Sequence, residues 1–518
     1  MRLRSLLLFL FIFFCTSIFS QVVYERHTNE VYNFLSRLSQ KGIIVFNDLI
    51  RPISKKKIEE ALDSVAAHQS ILSDIEKKEL AFYQQEYTEG IRKRIIRAGN
   101  DDFSIEADPI VTASYLSGSG KDIKTTSSGI NFWGRAGKKW GFQFSFQDVN
   151  VNGTGLDTSY KGFEAGSSTG PILFNNYKKN SQNYTEIRGH ISYEFKNGSI
   201  SAGQDYLLWG YGENRIVLSD KAPTYPYIRF DYQPLSWLRF NYTHAWLQSG
   251  LMDSSGSYTI PSGPFQIRQV DISKYMASHS IDLTLTKGLN LTLGESMIYN
   301  DKLNIGFLIP IMFFKAIDNY NGSGGIEKGS NGQFFFQLSS RNQLRKTHLY
   351  GTLFIDEIRI SDIFNKQKQR NQVGYTFGGS VTDIAGIPYL TAGIEYTRIR
   401  PFVYRNFLPA QNYTHAGYLL GDWMGNNADR VIGFLKYTPL PKLKLHMRYS
   451  YIRKGGPGTL DQQYAQPVQP PFLFDLQRKT DEFFFGASYE YLHRLCLNGY
   501  FRKLDKDQSI FIGMTYGL

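Results

Sequence analysis

Past its first twenty residues the chain carries a single cysteine, Cys496. One thiol cannot close an internal disulfide, which excludes a disulfide-stapled secreted scaffold. Long hydrophobic runs are also missing. The longest beyond the N-terminus, IGFLIPIMFF from Ile305, is broken by Pro310 and falls short of the roughly 18 apolar residues that a membrane helix needs. The 9 histidines never fall at H-x-x-x-H spacing, so no compact metal-ligand cluster is expected. Acidic residues are outnumbered, 46 against 58 basic, for a formal charge of +12.

Enzyme motifs are present only in fragments. Gly210-Tyr211-Gly212 starts a dinucleotide fingerprint, but Arg215 stands where the third glycine belongs. The residues that follow, ENRIVLSDKAPTYPYIRF, contain two prolines and have no helical period. A pyrophosphate site needs a helix N-terminus there, so the motif does not read as one. GSSTG at 166–170 satisfies G-x-S-x-G in a Gly/Ser/Thr-rich loop, without the strand and helix that make a nucleophile elbow. Asp356 and Glu357 are neighbours on an expected strand and point to opposite faces, so they form no obvious acid/base pair. The expectation is a non-enzyme without cofactor or metal.

What is present is aromatic and alternating. The 34 tyrosines, 38 phenylalanines and 6 tryptophans make up 15% of the residues, yet mean hydropathy is −0.32. Arg2 and Arg4 precede an apolar stretch from Leu6 to Phe14 and a cleavage site near Ser20-Gln21. Residues 1–20 therefore read as a secretory signal peptide. Cys15 lacks the small preceding residues of a lipoprotein signal. Without the two signal arginines the formal charge is +10.

Residues 21–100 have helical periodicity and form an expected periplasmic helical segment or plug. Val31, Leu35 and Leu38 share one face, as do Ile58, Ala61, Leu62 and Val65. Ser73 and Glu76 make a capping box for a third helix carrying Leu80, Tyr83, Tyr87, Ile91 and Ile95. The basic run Lys55 to Lys57 reads as a solvated helix start.

From residue 101 to 518 the period is two. In WLRFNYTHAWLQ, Leu238, Phe240, Tyr242 and Trp246 alternate with Arg239, Asn241 and Thr243; KLKLHMRYSYIR and YTEIRGHISYEF behave likewise. Charges on the polar face suit a wet lumen, the signature of a large transmembrane antiparallel β-barrel. Short turns, among them Asn197-Gly198, alternate with long Gly/Ser-rich segments, as at the two ends of an outer-membrane barrel. Eighteen strands are expected, beginning near residues 103, 127, 139, 184, 198, 225, 236, 277, 289, 331, 345, 372, 388, 430, 442, 482, 495 and 508. The even count leaves both barrel ends on the side of the helical segment. Residues 299–330 are open between one more strand and a helix packed in the lumen.

Together, the signal peptide, the segment containing RPISKKKIEEAL and the barrel carrying GQDYLLWGYGENRIVLSDKAPTYPYIRF resemble the capsule assembly Wzi family of outer-membrane proteins. The resemblance implies an eighteen-stranded barrel with N-terminal helices against its periplasmic mouth. It also implies a non-catalytic role in holding capsular or exopolysaccharide at the cell surface. Aromatic faces stack on sugar rings and arginine takes carboxylates in pairs. The expected rim site is accordingly Trp209, Tyr211, Arg215, Tyr225 and Tyr227, with Trp423 and Arg430, unless those rings form a lipid-facing girdle. Basic lumen residues Arg188, Arg229, Arg239, Lys444 and Arg448 either draw anionic solutes or pair with acids such as Glu186 and Asp231. A porin-like channel and an outer-membrane hydrolase are the alternatives. Expected partners are surface polysaccharide and outer-membrane lipid or lipopolysaccharide, not nucleic acid, with the barrel a monomer.

Overall fold

The computed structural model describes residues 23–88, 94–100, 102–156, 176–178, 180–260, 267–321, 329–357, 364–365 and 368–518. The expected signal peptide and the GSSTG stretch lie outside these residues.

Eighteen antiparallel strands close on themselves. They are β1 Phe103–Gly118, β2 Lys121–Ala136, β3 Trp140–Thr154, β4 Ser181–Phe195, β5 Gly198–Asp205 and β6 Tyr225–Leu235. Then come β7 Leu238–Met252, β8 Asp271–Thr286, β9 Leu289–Asn300, β10 Asn331–Arg341, β11 Thr347–Glu357 and β12 Gln372–Thr382. The circuit ends with β13 Leu390–Ile399, β14 Ala428–Leu440, β15 Leu443–Gly455, β16 Leu476–Leu492, β17 Leu495–Leu504 and β18 Asp507–Tyr516. Closure runs from Ile510 opposite Ser117 to Tyr516 opposite Val111, and Ile96–Gly99 pairs beside the lower part of β1. Closing the ring leaves no sheet edge, the condition for strands to span a membrane.

The strand count and the fold class agree with the sequence pattern. β2, β8 and β16 begin six residues before their expected starts, where charged residues such as Asp122, Lys274 and Lys479 dilute the alternation. One end of the barrel carries only tight connections, such as Asn197 at φ 65° before Gly198. The long connections lie at the other end, interrupted by tight turns at Ser119-Gly120 and Asp505-Lys506.

The N-terminal residues form α1 Val31–Gln40, α2 Lys55–Ala66 and α3 Asp74–Tyr87. Ser73 and Glu76 make the full capping box. Leu35, Leu38, Ile58, Leu62, Val65, Leu80 and Tyr83 build their shared core. α3 stops at Tyr87, and Ile95 is exposed outside it. This small bundle docks against the short-turn end: Arg37 donates to Thr438 at 3.0 Å and Gln40 to the Ser380 carbonyl at 2.8 Å.

Residues 301–321 are neither an extra strand nor a lumen helix. A short turn and the helix α4 Phe314–Asn321 lie against the outer wall. Strand register decides the side: Arg229 and Asp231 of β6 face the lumen, so Tyr242 and His244 of β7, His279 of β8 and Glu295 of β9 face outward. The segment covers that polar patch like a strap. Tyr242 donates to the Phe307 carbonyl at 2.9 Å, His279 contacts the Pro310 carbonyl at 2.9 Å, and its ring stacks on Phe314. Glu295 accepts the Phe314 and Lys315 amides at 2.8 and 2.7 Å, filling the helix N-terminus with a carboxylate. The strap turns Ile305 (74% exposed), Ile311 (83%) and Phe313 outward, restoring an apolar surface over polar wall residues.

Candidate functional site

The connection after β5 turns into the lumen. Leu208 and Trp209 pair with Arg51 and Ile50 of the N-terminal segment, and the Gly210 amide donates to the Leu49 carbonyl at 3.0 Å. Gly210 and Gly212 have φ of 122° and 103°, backbone that side chains rarely adopt. At Gly212 the wall also approaches closely: a Cβ there would sit 2.3 Å from Glu395 Oε2.

The expected rim placement is therefore corrected. Trp209 is 2% exposed, with its ring edge-on to Phe335 of β10. Tyr211 is buried beneath Arg341 and donates to Asn47 at 3.1 Å. Tyr225, Tyr227 and Arg430 are buried as well. Arg215 and Trp423, both half-buried, bond the Gly210 carbonyl at 2.8 Å and Asn214 at 3.2 Å. Arg430 binds Asp422 through both terminal nitrogens, at 3.2 and 2.7 Å. These rings face neither surface sugar nor lipid. The physical reason is that an apolar strand edge at Leu49-Ile50 gives the loop a better partner than water.

A second inward loop, 400–427, meets the first. Tyr404 and Tyr413 donate to the Ile216 and Val217 carbonyls at 2.6 and 2.8 Å, and Ser219 to the Gly421 carbonyl at 2.5 Å. Leu207, Trp209, Val217, Tyr225, Phe354, Tyr404 and Leu420 form one buried cluster that packs the lumen.

The five expected lumen bases are all paired. Arg188 binds Asp205 at 2.7 Å; Arg229 and Arg239 share Asp231 at 2.7 and 3.0 Å; Arg448 binds Glu482 at 3.1 Å. Lys444 binds Glu79 of α3, which also takes Arg37. The same logic recurs along the docking face. Asp48 joins Arg51 to Arg341 of the wall, and Glu86 joins Arg94 to Arg494. Burial pushes the Asp48 carboxyl up, but Arg341 and Arg51 outweigh it and hold it well below the carboxylate range. Lys55 is buried, which lowers its ammonium to about 7, and Lys56 binds Glu194 of β4 at 2.7 Å; the helix start docks through these two, while Lys57 stays exposed. A cavity of about 240 Å³ persists between α1, the first inward loop and the wall, where Glu213 binds Lys436 at 2.7 Å.

The long-loop end holds a larger cleft, about 720 Å³. Asp356, Glu357 and Gln372 line it from the strands, and Arg405, Phe407 and Tyr464 from the loops. Phe407 and Tyr464 meet edge-to-face at 5.8 Å. Carboxylates, an amide and a guanidinium beside ring faces are groups that hydrogen-bond hydroxyls and stack on sugar rings. Sequence reading missed this cleft because its lining comes from six separate stretches; Asp356-Glu357 was its one visible signal. Among the described residues no three His, Cys, Asp or Glu gather as metal ligands.

No family model matches the chain, and no curated protein matches it. Among solved structures, Wzi of Escherichia coli, described as an outer-membrane protein of group 1 capsule assembly and a carbohydrate-binding β-barrel, aligns with a TM-score of 0.60. That alignment covers 96% of this chain and 100% of Wzi at 14% identity. OccK3 and OprD of Pseudomonas aeruginosa align over 80% of this chain and 95% of theirs, each with a TM-score of 0.42, at 13% and 10% identity. The barrel fold is thus one found in outer-membrane proteins.

Proposed function

We propose that this chain is a non-catalytic outer-membrane barrel of the Wzi type that binds surface polysaccharide at its long-loop face. In this reading residues 1–20 are a cleaved signal, and the helical bundle sits at the periplasmic mouth of a monomeric barrel. The observation that carries the proposal is the packed lumen beneath an open cleft. A barrel built to pass solutes wastes its bore on Trp209, Tyr404 and their neighbours; a barrel built to hold a chain outside does not. The carbohydrate binding attributed to Wzi fits the same geometry. Trp209, Tyr211, Arg215, Tyr225, Tyr227, Trp423 and Arg430 then hold the seal under the cleft, and Phe407 and Tyr464 meet the sugar.

The test is deletion of the gene in its host, followed by comparison of cell-attached with shed polysaccharide. More shedding is expected; equal attachment in mutant and parent ends the proposal. In vitro, Tyr464→Ala lowers affinity for the isolated polysaccharide about tenfold, the scale of one lost stacking contact with its buried area.

A further inference from the structure

The β10–β11 seam is open at its upper end. Pairing runs from Arg341 opposite His348 to Phe334 opposite Ile355 and stops, leaving three residues of β10 and the end of β11 unpaired with each other. The outer seams of the same residues hold: Gly332 and Asn331 pair with Met297 and Ile298 of β9, and Glu357 with Gln372 of β12. Other seams part at this end too, β6–β7 beyond Tyr227 opposite Ala245 among them; this one has a cleft running through it.

The 720 Å³ cleft passes through this notch. Phe334 and Ile355 line it from the outer face of the wall, and Asp356 and Gln372 from the lumen face. Outside, the approach is apolar: Phe313 of the strap lies 6.1 Å from Phe334, beside exposed Ile309, Ile311 and Met312. At the lip the strap turns polar, with Lys315 bonded to Asp318 at 2.9 Å and Asp318 accepting the Ser330 amide at 2.6 Å. Inside, Gln333 is fully buried; its amide nitrogen donates to Asp356 at 3.2 Å, and its carbonyl oxygen has no partner.

We propose that the notch seats the junction of a lipid-anchored glycan, with acyl chains against the strap and the first sugars in the cleft. The inference rests on the glycan-binding reading and names the class of glycan. A free polysaccharide has no use for the apolar outer approach. A simple lipid has no use for Asp356, Gln372, Arg405 and Tyr464. One molecule with both halves uses the whole cavity, and lateral entry spares its acyl chains from leaving the bilayer.

The test uses the full chain in phosphatidylcholine nanodiscs with three probes: the host's lipopolysaccharide, its polysaccharide freed by mild acid, and its lipid A. Gly332→Phe fills the notch; the nearest atom to a Cβ there is the terminal methyl of Met297 at 3.1 Å, which can swing aside. Ile355→Trp blocks the opposite lip, and Leu338→Phe, lower on the outer face of β10, is the control. Heat-dependent gel mobility checks that each barrel is folded. Lipopolysaccharide is expected to bind at least tenfold more tightly than either fragment, with the advantage lost in both notch variants and kept in the control. Equal affinity for lipopolysaccharide and freed polysaccharide, or for lipopolysaccharide and lipid A, overturns the proposal. So does an advantage that survives both notch variants. Binding of freed polysaccharide would then leave the broader glycan reading standing, whereas no binding of any probe removes both.

Discussion

Asp48 shows how single residues hold the bundle in place. Its carboxylate is buried between Arg51 and Arg341, the latter bond 2.6 Å long. Asp48→Asn keeps the shape but leaves the buried Arg341 and half-buried Arg51 guanidiniums without the carboxylate between them. The expected cost is about 3–5 kcal/mol of docking stability, read from thermal melting of the helical signal; a loss below about 1 kcal/mol would show the pair to be incidental. The depressed carboxyl also fixes the sign of a pH effect. Its stabilisation is complete above the unfolded value of about 3.9 and is lost as pH falls through the lower folded value. The Asp48 contribution should therefore be flat from pH 8 to 5 and fall away below about pH 4, read as an acid-side slope that is reduced in Asp48→Asn. Some of this scale was visible beforehand: the Ser73–Glu76 capping box is written in the sequence and present in the structure. The burial of Trp209 was not, because it depends on a partner strand at Ile50-Arg51, some 160 residues away.

Among the elements, the strap is where outward polarity is dealt with. Glu295 holds two α4 amides and lies 3.4 Å from His279. Glu295→Ala removes the acceptor, a loss of about 1.4 kcal/mol on the scale of helix caps, and raises the population of the lifted strap about tenfold. Trypsin cleavage at Lys302 and Lys315 should accelerate by that factor, because proteolysis of a rapidly opening segment tracks its open population. An unchanged cleavage rate would mean that the apolar contacts of Phe307 and Phe314 alone hold the strap. Sequence alternation located the eighteen strands because each presents unlike faces to unlike surroundings. It could not place IGFLIPIMFF, because periodicity says that two faces differ without saying which faces lipid. On β7 to β9 the polar residues His244, His279 and Glu295 stand on the outer face. The signal for the strap was an apolar run beside strands whose outer face is not apolar, and recognising it requires the register. The cleft at Phe407 and Tyr464 was illegible for a related reason, since loop ends carry no period at all.

On the scale of the whole molecule, wall and bundle divide the charge between them. Arg341, Lys444 and Arg494 of the barrel meet Asp48, Glu79 and Glu86 of the N-terminal segment. The expected lumen bases Arg188, Arg229, Arg239, Lys444 and Arg448 each lie against one of the chain's own carboxylates. Barrels of 16–18 strands leave an aqueous channel when nothing fills them, so the filling decides between a holder and a porin. Planar-bilayer recordings of the intact chain should show conductance far below that of an open barrel this size. The triple variant Arg341→Ala, Lys444→Ala and Arg494→Ala removes the wall side of all three bridges, leaves Asp48, Glu79 and Glu86 to Arg51, Arg37 and Arg94 of their own segment, and undocks the bundle while keeping every segment. Undocking also removes the strand partner of Leu208 and Trp209, so the first inward loop loses its anchor and the second loses its contacts at Ser219. Conductance should rise at least about tenfold. Removal of three wall cations beside the freed carboxylates should shift the open pore towards cations. Deletion of residues 28–98 should open the pore as well, but with the wall bases left unpaired and therefore with anion preference. Opposite selectivity in the two variants would identify the bundle–wall ion pairs as the closing contacts. Steady porin-level conductance in the intact chain would instead restore the channel reading.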